Sequence, residues 1–199
     1  MRYGERTLKG GQLMKRISLV ALCLLFASGV VSDAVGGKIA VGGSLGANIP
    51  VAQDDASASS LFGFGVRMKL TRTLGIEPFF TKLNQGDTSV DVWDQEMSRE
   101  GARIACFGLN VLFGSMSADV GTHFHVAGGI GSYTMSQRGI PDETRFGYNL
   151  GPGIEFGLGR ISIEISSAFH VITLEGGGSR KNIAISGGVN YYFGIGEAY

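Results

Sequence analysis

The chain has 199 residues, with 17 Lys and Arg against 17 Asp and Glu, and it contains 33 glycines. Charged residues make up 17%, where a soluble domain averages ~25%, and glycine far exceeds its usual ~7%. The balanced charge provides no basic patch, which argues against a nucleic-acid partner. The shortage of charge indicates that much of the surface does not meet water.

The first part of the chain carries an export pattern. A basic pair at positions 15–16 precedes an apolar run over residues 17–26 and a site of small residues that ends at Ala34. This order is typical of a signal peptide, which we assign to residues 14–34. The apolar run is shorter than the ~20 residues that a transmembrane helix needs.

The remainder of the chain is expected to form one domain, residues 35–199. Residues 1–13 fit no part of a signal peptide, and we predict a mis-called leader, with Met14 as the alternative start to Met1. Cleavage removes five of the basic and two of the acidic residues, which leaves a formal charge of about −3. Cys106 is then the only cysteine, so no intrachain disulfide is expected.

Alternation of apolar with small or polar residues predicts eight strands in this domain. Most have about the ~9–11 residues that a tilted strand needs to cross a bilayer. No stretch shows convincing helical periodicity. The predicted strands cover residues 38–49, 61–70, 74–83, 103–113, 122–134, 145–158, 161–173 and 182–193.

The connections between these strands alternate in length. The first, third, fifth and seventh are long, and the second, fourth and sixth are short. Long outer loops and short periplasmic turns are typical of outer-membrane barrels. We therefore predict an all-β fold, an eight-stranded antiparallel up-and-down transmembrane barrel with both termini in the periplasm.

The two faces of the predicted strands differ in a way that identifies the lipid side. One face is bulky and apolar and the other is largely glycine, which suits a narrow lumen and not a face in water. Aromatic residues should form two girdles. The periplasmic girdle is Phe113, Phe124, Phe156, Tyr191 and Phe193, and the outer girdle is Phe62, Phe80, Phe146, Tyr148 and Phe169.

Four stretches carry a family resemblance: "KIAVGGSLGANIP", "FHVAGGIGSY", "YNLGPGIEFGL" and "ISGGVNYYF". On these the chain resembles the opacity-protein and OmpA-like transmembrane barrels of Gram-negative outer membranes, over roughly residues 36–193. The resemblance implies residence in the outer membrane and insertion by the barrel-assembly machinery, which reads an aromatic of the final strand. Tyr191-x-Phe193 fits this, although the chain continues to Tyr199.

Strand phase also predicts which ionisable residues enter the lumen. Pairing across the second and sixth connections sets Arg67 opposite Glu77, and Glu155 opposite Glu164. Two facing carboxylates are unfavourable, so a cation or a shared proton is expected between them. The predicted lumen residues are Lys38, Arg67, Lys69, Glu77, Arg103, His123, His125, Glu155, Glu164 and His170, with Lys38, Arg67 and Lys69 as the candidate cations.

These residues allow more than one interpretation. The favoured one is a structural charge network that closes the bore, formed by Lys38, Arg67, Lys69, Glu77, Glu155 and Glu164, and the alternative is a gate or a small cation passage. His123 and His125 have a chelating spacing but no third ligand, so no metal or cofactor is expected. His170 could serve Ser166 or Ser167, but Ser167 has the lipid-facing phase, so no catalytic site is expected.

The predicted loop over residues 84–102 is acidic and contains the only tryptophan. It is either a solvated loop or a contact surface for a host or environmental partner, because function concentrates on long loops. We expect a non-enzymatic protein that stabilises the envelope or presents loops, in contact with outer-membrane lipid and lipopolysaccharide. A narrow channel is the alternative, and a lipid-modifying enzyme is a remote one. The loop residues concerned are Asp87, Asp91, Trp93, Asp94, Glu96 and Glu100.

Overall fold

The structure is a computed structural model that describes residues 39–51, 53, 56–92, 95–116 and 119–193. The predicted leader and signal peptide lie outside these residues and stay predictions. Within the described ranges, no helix is long and apolar enough to cross a membrane. The strands are β1 Ile39–Val51, β2 Ser59–Lys69, β3 Leu74–Asn84, β4 Thr88–Val92, β5 Gln95–Arg99, β6 Arg103–Gly114, β7 Gly121–Gln137, β8 Ile140–Gly157, β9 Ile161–Thr173 and β10 Ser179–Phe193.

Eight of the strands close into a barrel. The order around the ring is β1-β10-β9-β8-β7-β6-β3-β2, and every neighbouring pair is antiparallel. The first and last strands pair from Ile39 opposite Phe193 to Val51 opposite Lys181, so the eight-stranded sheet has no open edge. The predicted eight-stranded barrel is confirmed, and all eight predicted strands lie within one or a few residues of the observed ones, except where β7 and β8 extend outward.

The outer surface of the barrel is apolar, as the alternation predicted. Phe113 is 66% exposed, whereas the adjacent Leu112 points into the lumen and is fully buried. A continuous apolar surface of this kind is unfavourable in water and favourable in lipid. Nine of the ten predicted girdle aromatics are among the exposed apolar side chains, and Phe80 is half-buried.

The predicted alternation of loop lengths is wrong at two connections. The β9–β10 connection over residues 174–178 was expected to be long but is one residue shorter than the β6–β7 connection over residues 115–120, which was expected to be short. The sequence between β7 and β8 was expected to form a long loop, but the two strands continue outward to Gln137 and Ile140. A two-residue turn, Arg138-Gly139, joins them, and Gly139 adopts a φ of +80°, which favours glycine. The barrel is asymmetric here because paired strands project outward.

The predicted loop over residues 84–102 also contains regular structure. Strands β4 and β5 pair as an antiparallel hairpin, from Thr88 opposite Arg99 to Val92 opposite Gln95. Its base is fixed by a bridge between Ser57 and Gly86. Period-two alternation over five residues is too short to have revealed these strands.

Glycines on the inner face make room for larger side chains from neighbouring strands. A Cβ at Gly147 would lie 2.6 Å from the Tyr133 ring, and one at Gly153 would overlap the His125 ring. Since real Cβ atoms do not approach so closely, these positions require glycine for space and not for backbone freedom. The lumen face of β8 is therefore rich in glycine because large buried side chains of the neighbouring strands occupy the space beside it.

Candidate functional site

A charge cluster fills the periplasmic half of the lumen, and Arg67 is its centre. The Arg67 guanidinium donates to Glu77 through Nε at 3.0 Å and through Nη2 at 2.8 Å. The same Nη2 donates to Glu164 Oε2 at 3.0 Å, and Nη1 approaches Glu155 Oε2 at 3.4 Å. The Arg67 side chain is only 5% exposed. One buried cation therefore serves three carboxylates.

The strand order explains why Arg67 can reach these partners. Glu77 lies on the adjacent strand β3, and the hairpin pairing of Leu70 with Leu74 sets it beside Arg67. Glu155 lies on β8, which is four strands away from β2 in either direction around the ring. The guanidinium thus spans the lumen and connects opposite walls of the barrel.

The two facing glutamates follow from the predicted turn. Leu158 donates its backbone N–H to Ile161 across Gly159-Arg160, and Glu155 pairs with Glu164 in the β8–β9 register, as predicted. Arg67 is the cation that contacts both carboxylates. The facing pair is therefore compatible with burial because a cation lies against it.

Further hydrogen bonds stabilise the buried Glu155 carboxylate, which has no exposed surface. Its Oε1 accepts from Tyr192 Oη at 2.7 Å and from Asn190 Nδ2 at 3.2 Å, and it also accepts from the Ser162 hydroxyl. Asn190 also donates to Glu164 Oε2 at 2.9 Å. Sequence reasoning missed these neutral donors, whose only signal was their lumen phase on β9 and β10.

The other predicted lumen cations do not join the cluster in the same way. Lys69 has the lumen phase but donates from Nζ to the Met116 carbonyl at 3.1 Å. Lys38 lies outside the described residues. The placement of Arg103 in the lumen is wrong: its side chain is 68% exposed, and it shares the outward phase of Phe107 because both positions are odd on β6.

The histidines have separate environments. His125 is buried, with Nε2 at 3.4 Å from Glu164 Oε1, and His123 contacts the Ser115 hydroxyl at 2.8 Å and the Asp119 carbonyl at 3.0 Å. Across the described parts of the chain, no group of three or more His, Cys, Asp or Glu side chains is arranged to hold a metal ion. His123 therefore fixes the β6–β7 turn, and His125 borders the charge cluster.

The outer half of the lumen is filled by an apolar layer that the sequence reasoning did not identify. Tyr133 bridges this layer to His170, with its hydroxyl 2.9 Å from Nδ1 and the two rings edge to face. The sequence does contain a signal for this layer. Near the outer ends of the strands the alternation breaks, because apolar residues occupy both the lumen-facing and the lipid-facing positions. The layer consists of Leu61, Phe79, Leu83, Ile104, Cys106, Tyr133, Ile172 and Ala184.

A polar group of side chains lies beyond the apolar layer, at the mouth. Gln85 donates to Asn182 and to Gln53, each at 3.2 Å, and accepts from Arg180 at 2.9 Å. Gln85 and Asn182 are buried. The mouth is therefore covered by hydrogen-bonded amides above the apolar layer.

A small cavity separates the apolar layer from the charge cluster. Its volume is about 130 Å³, and polar groups of several strands line it, among them Asn110, His125 and Ser166. Asn110 Oδ1 and His125 Nδ1 are buried there without a protein partner. A cavity of this size and polarity can hold a few water molecules, which would satisfy such groups.

The residues considered for catalysis do not form a hydrolytic site. His170 is occupied by Tyr133, and the Ser166 hydroxyl contacts the Ser186 hydroxyl at 3.1 Å. Ser167 has the opposite phase to Ser166 on β9 and therefore faces outward, as predicted. His170 is thus not directed at a serine nucleophile by any hydrogen bond within the described chain.

The acidic outer loop is described in part. Asp87 Oδ1 accepts from the Gly101 backbone N–H at 2.9 Å, and Glu100 lies 3.7 Å from Arg103. Asp91 and Glu96 pair through their backbones in the β4–β5 hairpin, but their side chains lie outside the description. Trp93 and Asp94 lie outside the described residues altogether.

Comparison with known proteins agrees with this architecture. Neisserial surface protein A superimposes with a TM-score of 0.58 at 10% identity, covering 81% of this chain and all of that one. The N-terminal barrel domain of Pseudomonas aeruginosa OprF gives 0.53 at 14% identity, covering 78% and 97%. At these identities the likeness concerns the fold alone, and no curated protein matches the chain significantly.

A family model gives the broader assignment. The model of the outer membrane protein beta-barrel domain matches residues 18–194, nearly the whole chain. This extent confirms the resemblance found on the four strand motifs and the apolar outer surface. The chain therefore belongs to the outer membrane protein beta-barrel domain family, and the protein resides in the cell outer membrane.

Proposed function

We propose that this protein is a closed, non-catalytic barrel that stabilises the envelope and carries surface loops for contact outside the cell. The observation that carries this proposal is the filled lumen. Its periplasmic half holds the buried Arg67 cluster, and in its outer half Leu83, Ile104 and Ile172 are fully buried. A lumen filled in both halves favours a structural role over transport.

The loop function rests on how firmly the β4–β5 hairpin is attached. The Ser57 hydroxyl donates to the Asp87 carbonyl at 2.8 Å, and the Asp87 carboxylate accepts from Gly101. A fixed base lets a projecting hairpin present side chains in a defined arrangement. We propose that Asp87, Asp91, Trp93, Asp94, Glu96 and Glu100 form a contact surface for a host or environmental ligand.

The proposal includes the route to the membrane and the lipid contacts. The signal peptide over residues 14–34 would direct export, and Tyr191 and Phe193 would be read by the barrel-assembly machinery. Phe193 is 48% exposed on the outward face, which is compatible with such a contact. The outer rim would contact lipopolysaccharide.

The alternative of a narrow channel is favoured by one observation, the polar cavity next to the charge cluster. Water in that cavity and a movement of Arg67 would open a path only if the apolar layer also separated. Planar-bilayer conductance decides between the two functions. We expect no conductance steps from the folded protein, whereas cation-selective steps would support the channel.

A complementation experiment tests the two parts of the leading proposal. A deletion strain receives the wild type or a variant in which residues 88–99 are replaced by a short Gly-Ser turn. We expect both to restore detergent resistance, and only the wild type to restore adhesion to cultured epithelial cells or glass. Loss of detergent resistance with the hairpin variant would contradict the division of roles, and unchanged adhesion would contradict the contact surface.

A further inference from the structure

We propose that a groove at the outer rim of the barrel binds the phosphorylated headgroup of an outer-leaflet glycolipid. The groove, called the rim groove below, lies between the outward ends of β3 and β6 and the β7–β8 turn. Its ionisable lining residues are Lys82, Asp87, Glu100, Arg103 and Arg138. Its volume of about 680 Å³ is within the ~300–1,000 Å³ range of ligand pockets.

The register sets the height of this groove relative to the lipid. Phe80 pairs with Phe107 across β3 and β6, and Lys82 pairs with Ala105 two residues further outward. Arg103 follows on the same face, opposite Asn84. Strands rise ~3.3 Å per residue, so the backbone of Lys82 lies ~7 Å further along the tilted strand than that of Phe80. The cations thus lie just beyond the outer aromatic girdle, at the level of the boundary between the hydrocarbon core and the lipid headgroups.

The cations of the rim groove are available for a ligand. Lys82 and Arg138 make no hydrogen bond or ion pair within the described chain, and both are exposed. Among the described residues Arg103 contacts Glu100 alone, at 3.7 Å, and its side chain is 68% exposed. Three cations at one rim, two of them unpartnered, suit a phosphate, which accepts charge-assisted hydrogen bonds from Lys and Arg.

The acidic residues of the groove do not cancel this positive charge. The Asp87 carboxylate accepts from the Gly101 N–H, and the Glu100 backbone is fixed by Gln137, whose Nε2 donates to the Glu100 carbonyl at 2.7 Å. Among the described lining residues two carboxylates face three cations, so this part of the groove keeps a net positive charge. The same contacts fix the backbone at Glu100 and Gly101 along one side of the groove.

This inference rests on the lipopolysaccharide contact in the proposed function and specifies its site and its chemistry. The test uses the full-length mature protein folded in detergent, with bisphosphorylated lipid A and the same lipid A after dephosphorylation as probes. Native mass spectrometry measures the fraction of protein that carries a lipid. We expect the wild type to prefer the bisphosphorylated form by about tenfold or more.

Three variants locate the preference. The triple variant Lys82→Gln, Arg103→Gln and Arg138→Gln should lose it, and Lys82→Arg with Arg103→Lys and Arg138→Lys should keep most of it. The matched control Arg72→Gln with Arg160→Gln removes exposed cations from the periplasmic turns and should bind as the wild type does. Heat-modifiable migration on gels verifies that each variant is folded.

The outcomes that would overturn the inference are distinct. If the triple glutamine variant keeps the preference, or the periplasmic control loses it equally, the rim groove is not the site, although the lipopolysaccharide contact stands. If the wild type binds the two lipids equally, phosphate recognition at the rim groove is overturned, although the lipopolysaccharide contact stands. If it binds neither lipid, both proposals fail. Complete displacement of lipid A by millimolar inorganic phosphate would identify a free anion as the occupant and overturn the lipid assignment.

Discussion

The two halves of the lumen are filled by opposite means. In the periplasmic half a single guanidinium, that of Arg67, contacts carboxylates from three strands. In the outer half the buried surface is apolar, and Tyr133 and His170 form its polar connection. The ionic half depends on Arg67, because no other described side chain contacts all three carboxylates. The apolar half distributes its stability over many small contacts.

The comparison teaches how an eight-stranded bore can be closed. A buried ion pair contributes little over an apolar filling, but removing one partner is costly because the other charge stays buried. An apolar layer loses stability in proportion to the volume removed. The periplasmic half should therefore respond sharply to single changes, and the outer half in a graded way.

The largest effect is expected for Arg67→Gln. This change leaves Glu77, Glu155 and Glu164 close together without their shared cation, and we expect the free energy of unfolding to fall by about 3–5 kcal/mol. Urea unfolding in detergent measures it. The control Arg72→Gln removes an exposed cation of the same type and should change stability little. A loss below about 1 kcal/mol for Arg67→Gln would show that the cluster is not stabilised by its cation.

A smaller loss is expected in the apolar layer from Ile104→Ala. Ile104 is fully buried, so the change removes packed methylene groups and should cost about 2–4 kcal/mol in the same unfolding assay. Val111→Ala on the same strand is the control, because Val111 is 49% exposed and faces lipid. Equal losses in the two variants would mean that the outer lumen is not packed as a core.

Replacement of one facing glutamate should have an intermediate effect. Because Arg67 contacts both carboxylates, Glu155→Gln and Glu164→Gln should each lower the free energy of unfolding by about 1–3 kcal/mol. The effect should be greater at Glu155, which is fully buried and accepts three further hydrogen bonds.

Double-mutant cycles with Arg67→Gln separate this coupling from general damage. We expect each glutamate change to cost much less when Arg67 is already absent, since contacting residues are not additive. Additive losses would contradict a shared cation, and a stabilising Glu155→Gln would mean that repulsion between the carboxylates dominates.

The smallest effect is expected for Tyr133→Phe. The change removes the hydrogen bond to His170 Nδ1 but keeps the ring in the apolar layer, so it should cost about 1 kcal/mol. Tyr148→Phe is the control, because Tyr148 faces lipid and is 50% exposed. A loss as large as that of Ile104→Ala would show that the outer half also depends on a polar contact.

Much of the fold was predictable because strand alternation and short turns are local. The hairpin pairing at Leu70 and Leu74 followed from a three-residue turn, and it set Arg67 beside Glu77. The errors have local reasons too. Arg103 lies at a strand end and was assigned to the wrong face of β6. The β7–β8 connection was expected to be a loop because β7 and β8 continue there through polar residues.

The sequence by itself determined the eight barrel strands, the face of each that meets lipid, and the facing pair of Glu155 and Glu164, since each depends on residues adjacent along the chain or across one turn. Only the closed barrel decided that Arg67 reaches Glu155, because β2 and β8 lie on opposite walls and their register follows from the closure of the whole ring. Pairing of β3 with β6 across the β4–β5 insertion, and of β6 with β7, brought the ends of these strands and the β7–β8 turn together as the rim groove. Side chains from non-adjacent strands come into contact only when the lumen forms. The period of the sequence shows which side chains face the lumen, but not which of them contact each other across it.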